Sequence, residues 1–105
     1  PWGDGWQGLY CNSEWRNAAM TPVGIYPAGA APCGAEEMAG NVSEWTSSVY
    51  DSSQIQEPGA GRVLRGGSWD SDSVNCSAWY RDYCTPGYRD VDVGFRLART
   101  LRPGP

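Results

Sequence analysis

The chain has 105 residues, enough for at most one domain. Its bulk comes from six Trp and six Tyr with one Phe, and its 14 Gly and 8 Pro point to many turns and an aromatic core under irregular backbone. All eight basic residues are Arg against 12 acidic ones, for a net charge of −4, which leaves no basic patch for nucleic acid; the absence of His excludes Ser-His-Asp and Cys-His catalysis.

In chain order, residues 1–32 alternate turn signals with single aromatics, and the run Val23 to Tyr26 between two prolines reads as a short strand. Residues 33–40 (CGAEEMAG) have the composition of one or two helical turns, ended by Gly40. The next block, NVSEWTSS, alternates as a strand with Val42, Glu44 and Thr46 on one face. Residues 50–61 form a polar, Gly/Pro-bearing loop. RVLRGGSW (62–69) is a strand interrupted by its Gly pair, where a bulge or close backbone approach is expected. VGFRLART (93–100) reads as the strongest strand and the partner of 62–69, followed by a tail. No apolar run approaches the ~20 residues of a membrane span. Four cysteines allow three full pairings. Cys11–Cys33 is the expected bridge, with buried free thiols as the competing expectation.

Five blocks in order, PWGD, TPVGIYPAG, CGAEEMAGNVSEW, RVLRGGSW and VGFRLAR, resemble the second half of the formylglycine-generating enzyme (sulfatase-modifying factor) domain family and span nearly the whole chain. The resemblance implies one α+β domain over residues 1–105 with much irregular structure, related to C-type lectins, with short antiparallel strands and one or two short helices. Family members carry a first half ahead of the Pro-Trp-Gly block, and no segment here matches it. Truncation, a second polypeptide and a reduced fold all remain open on that point.

The resemblance also bears on catalysis. Active members oxidise a substrate cysteine with a copper-binding Cys-x4-Cys pair, since two soft thiolates hold Cu(I). Here the second cysteine is Cys76, but the first position holds Ser71, whose hydroxyl cannot replace a thiolate. Copper is therefore not expected, and redox chemistry at Cys76, with Cys84 as a further candidate, is the alternative function. The related ergothioneine-forming branch uses an iron site built from His, which this chain lacks.

For metals, the resemblance implies calcium, a hard ion held by six to eight oxygens. The matching positions are the side chains of Glu37 and Glu44 with the carbonyls of Gly40 and Val42. The competing expectation is that Glu44 pairs with Arg65 or Arg96. Asn41-Val42-Ser43 and Asn75-Cys76-Ser77 fit the glycosylation sequon and are read as chance matches.

Residues 70–92 lie between two orderly flanks and show neither helical nor strand period. They resemble the variable region of family members diversified by retroelements that rewrite adenines. The expected contact positions are Asp70, Ser71, Asp72, Val74, Asn75, Tyr80, Asp82, Tyr83, Thr85, Tyr88, Asp90 and Asp92, with Cys84 and Val91 among the same variable positions. Every one of these types is reached from an AAC codon by changing adenines alone; Trp79 is not. Tyr gives much contact area at little conformational entropy, so Trp79, Tyr80, Tyr83 and Tyr88 are the hot-spot candidates, within a polar rim of Asp and Ser. The same aromatics compete for places in the core. Trp69 and Phe95 should hold the framework, with Arg65, Arg81, Arg89 and Arg96 tying loops to carbonyls and carboxylates. The expected function is a non-catalytic module that binds a protein or carbohydrate through this surface.

Overall fold

The computed structural model describes residues 1–100. Its regular structure is one small mixed sheet, β1 (Ser43–Val49), β2 (Arg62–Arg65), β3 (Asp82–Cys84) and β4 (Val93–Gly94), in the order β3-β2-β1-β4. β2 runs antiparallel to both β1 and β3, whereas β4 lies parallel to β1. Three single 3₁₀ turns, Gly8–Tyr10, Pro27–Gly29 and Ser52–Gln54, complete the elements. The irregular α+β expectation holds for the strands and loops; no α-helix occurs among the described residues.

β2 is central, so its Val63 and Leu64 are fully buried between β1 and β3, and its flanking arginines reach outward. Thr46 Oγ1 donates to the Val63 carbonyl, and the β1–β2 register slips between Trp45 and Val49. The rest of the interior is built from small and polar groups. Cys11, Ala39 and Cys76 cluster under Trp2. Beside them lie buried Asn12, Ser13, Asn41 and Ser68. Asn12 and Asn41 pair twice, the Asn41 amide donating to the Asn12 carbonyl and the Asn12 carboxamide to Asn41 Oδ1. Asn41 Oδ1 also accepts from the Thr21 amide, so one asparagine pins three segments. Buried polar groups are costly unless paired, and this pairing makes a polar core workable.

Several expectations fail for identifiable reasons. Residues 33–40 are not helical: Glu37 has φ +59° and Gly40 φ +74°, left-handed conformations that a right-handed helix cannot contain. Residues 23–26 form a turn at Gly24, not a strand, and Pro27 opens a 3₁₀ turn. The 93–100 segment contributes only Val93 and Gly94, and it pairs with β1, because β2 already has β1 and β3 on its two edges. Phe95 is therefore 73% exposed and holds no framework, unlike Trp69, which is buried against Trp15 in an edge-to-face pair at 4.7 Å. Cys33 is exposed and free, so Cys11–Cys33 does not form; Cys11 faces Cys76 instead. The 101–105 tail lies outside the described residues.

Candidate functional site

The 70–92 segment is anchored at backbone level and open at side-chain level. Its entry is fixed where the Trp69 amide donates to the Asn41 carbonyl, and its exit where Trp69 Nε1 donates to the Val91 carbonyl. Arg65 Nη1 donates to the carbonyls of Ala78 and Tyr80, holding the middle to β2. Arg81 donates to the Tyr50 carbonyl and stacks over the Tyr50 ring at 4.7 Å. Gly67, at φ +69°, lets the segment pass close: a Cβ there would sit 2.7 Å from Cys76 Sγ. Arg89 is exposed and makes no such tie among the described residues.

The expected contact residues fall into three groups. The first lines a cleft of about 370 Å³ between the chain start and residues 73–79: Trp2 and Trp6 form one wall, Val74, Cys76 and Trp79 the other. Trp79 is 70% exposed there, which removes it from the core. Asp70, Ser71, Asp72 and Asn75 shape the backbone beneath it. Ser68 Oγ donates to Asp70, the Ser68 amide to Ser71 Oγ, and the Asn75 amide to Asp72 Oδ1.

The second group faces β1's end. Tyr83, half-exposed on β3, stacks on Tyr50 with ring centroids 4.2 Å apart, beside Asp51, Ser52 and Gln54. Asp82 precedes it, and Tyr80 is half-buried. The third is a tight turn from Thr85 to Tyr88, where Tyr88 donates its phenol to Asp90 at 2.7 Å. That bond pushes the Tyr88 phenol up to about 12 and holds the Asp90 carboxyl below its ordinary range. Burial, then Asp90, raises the Asp92 carboxyl, whose Oδ1 is buried without a partner among the described residues. Burial and the nearby aspartates likewise raise the Cys84 thiol. The predicted residues thus share one continuous ribbon without converging on a single pocket.

The thiols of Cys11 and Cys76 lie together under the cleft. Cys11 Sγ donates to Ser13 Oγ at 3.5 Å, and the neighbouring Cys76 thiol holds Cys11 below the ordinary thiol value while Cys11 and burial push Cys76 well above it. Sequence reasoning missed this pair, because 64 residues separate the two positions and Cys11 carries no spacing signal. The Asn12–Asn41 pair was missed for the same reason.

Of the expected calcium set, Glu44 accepts from Arg96 Nε and Nη2. The same Nη2 donates to the Glu37 main-chain carbonyl at 2.9 Å, so Glu44 makes the ion pair with Arg96 that was the competing expectation, while the Glu37 carboxylate points away to Gly24. Glu37 Oε1 accepts from the Gly24 amide, but Oε2 is buried with no partner among the described residues. That orphaned oxygen has room for a cation, but Arg96 already engages both Glu44 oxygens, and no cluster of three or more His, Cys, Asp or Glu able to hold a metal occurs among the described residues.

These features define a loop-dominated scaffold that presents an exposed aromatic and acidic ribbon from a small, polar-cored sheet. The chain belongs to the sulfatase-modifying factor enzyme 1-like domain family, whose model matches residues 1–101. It is 38% identical, across its full length, to 28% of a hercynine oxygenase from Mycolicibacterium thermoresistibile. Among solved structures it is similar to Treponema denticola variable protein 1, with TM-score 0.68 and 28% identity over 83% of this chain and 34% of that one. It is also similar to CarF, with TM-score 0.72 and 26% identity over 92% of this chain and 35% of that one. The chain thus spans about a quarter of the curated relative and a third of each solved chain.

Proposed function

We propose that the protein is a non-catalytic ligand-binding module whose contacts come from residues 70–92, diversified as in retroelement variable proteins. The supporting observation is the separation of roles along the ribbon: Trp69, Arg65 and Arg81 fix its backbone, while Trp79 projects freely and Tyr83 and Tyr88 stay exposed beside Tyr50 and Asp90. Side chains that little packs against can change without loss of the fold. The likeness to Treponema denticola variable protein 1 supports the same reading. The partner is a protein or carbohydrate surface rich in basic or hydroxyl groups, to match the aspartates. Sequencing this locus across its source population tests it. Substitutions confined to adenines in the codons for residues 70–92, with Gly66–Trp69 and Gly94–Arg96 unchanged, are expected; uniform drift or invariance overturns the proposal.

A second reading, in which the chain serves as one part of a hercynine-oxygenase-like enzyme, rests on the 38% identity. It predicts an invariant ribbon and hercynine binding that is lost in Trp79→Ala. Calcium belongs to either reading, held by Glu37 and Glu44 with the carbonyls of Gly40 and Val42. Its role there is structural, joining the 37–42 turn to β1.

A further inference from the structure

Cys11 and Cys76 are not among the expected contact residues, yet they sit together at the heart of the molecule. They are 2% and 4% exposed, and they share one cluster with Ala39 and Trp2. Each occupies space that a glycine leaves open. A Cβ on Gly67 would press on Cys76 Sγ at 2.7 Å, and one on Gly40 would lie 3.3 Å from Cys11 Cβ. The other two thiols are elsewhere, Cys33 on the surface and Cys84 at the end of β3. Cys76 also lines the wall of the tryptophan cleft, which gives small solutes a route to the pair.

We propose that Cys11 and Cys76 are a redox modification site, a dithiol that a hydroperoxide closes to an intramolecular disulfide. The thiolate of the pair attacks one peroxide oxygen and the O–O bond breaks. The departing hydroxide takes a proton to become water, leaving a sulfenic acid. The second sulfur then attacks the sulfenic sulfur, its S–O bond breaks, and the hydroxide leaves as water with the remaining thiol proton. Two thiols and one hydrogen peroxide give one disulfide and two waters, a two-electron oxidation of the protein. The bridge joins the Trp2–Trp6 wall of the cleft to the Cys76–Trp79 wall, so oxidation fixes the cleft's width whatever it binds.

The arginines make the test clean. Cleavage after Arg16, Arg62, Arg65 and Arg81 puts Cys11 in peptide 1–16 and Cys76 in peptide 66–81, apart from Cys33 and Cys84. The reduced chain is treated with hydrogen peroxide, quenched with iodoacetamide and analysed by intact mass and non-reducing tryptic mass spectrometry. Against the unoxidised chain alkylated in the same denaturing quench, loss of two hydrogens and of two carbamidomethyl additions, with a 1–16/66–81 cross-link, is expected, unchanged in the Cys33→Ser, Cys84→Ser double variant and absent in Cys11→Ser. Because the double variant alters only thiols outside the buried cluster, it keeps the test valid if Cys11→Ser misfolds. Retention of both thiols, over-oxidation without a cross-link, or a dominant link to Cys33 or Cys84 overturns the proposal.

Discussion

Arg96→Ala is the substitution with the widest structural reach. Arg96 donates to both carboxylate oxygens of Glu44 and to the carbonyls of Glu36 and Glu37, which lie 52 to 60 residues away in sequence. It therefore ties the segment after β4 to β1 and to the left-handed turn before it. A buried ion pair broken by removal of one partner costs about 3–5 kcal/mol. The Arg96 side chain is 37% exposed against 15% for Glu44, so water screens the cationic end and the figure moves towards the surface value of about 0.2–1 kcal/mol. The two carbonyl bonds to a charged donor add about 1 kcal/mol between them after the same discount. The sum is a loss of about 2–3 kcal/mol, a large share of the roughly 5–15 kcal/mol typical of a small domain. Urea denaturation of the four proteins in the Arg96→Ala, Glu44→Gln cycle measures it. A coupling energy of about 1 kcal/mol is expected, because Glu44→Gln removes the charge that Arg96→Ala strands. A loss below about 0.5 kcal/mol, or single-variant losses that simply add, refutes the reasoning.

Three further outcomes follow from individual groups. The Tyr88 phenol, raised to about 12 by its bond to Asp90, adds stability that is complete below the unfolded value near 10 and lost as pH rises through about 12. A tyrosinate absorbance titration should show this late phase, and it should be absent in Tyr88→Phe and moved to lower pH in Asp90→Asn. Asp92, raised by burial with an unpartnered Oδ1, favours the protonated carboxyl in the folded state. Its ionisation therefore destabilises the fold as pH rises above the unfolded value, so Asp92→Asn should raise the melting temperature at pH 7 and give no gain at pH 3. If the gain is the same at both pH values, burial of the charge is not the cause. For calcium, adding the ion should raise the melting temperature of the parent protein and not that of Glu37→Gln, which keeps the shape and removes the charge; equal shifts sink the proposed site.

What the sequence discloses and what it hides separate along a physical line. β1 and β2 are legible because β-branched, aromatic and aliphatic residues suit them to strands, and in the central strand the consecutive Val63 and Leu64 are both buried, whereas β1 shows no alternation of burial. The 33–40 segment is misread because composition registers helix-forming Ala, Glu and Met but not the left-handed backbone at Glu37, which no side-chain preference announces. The 93–100 segment is misread for a topological reason. Its strand pattern is genuine, but each central strand has two edges, and β1 and β3 occupy both of β2's. The site divides in the same way. Its extent, residues 70–92, is readable from the break in periodicity between Trp69 and Val93. What joins it to the fold is not readable, because the joining is done by single long-range contacts: Arg65 to the Tyr80 carbonyl, Trp69 to the Val91 carbonyl and Cys76 to Cys11. In a molecule whose core is small and polar, such contacts replace the broad apolar face that gives ordinary sheets their signature. A ribbon held by a few backbone ties under exposed side chains follows from that, and so does its freedom to vary.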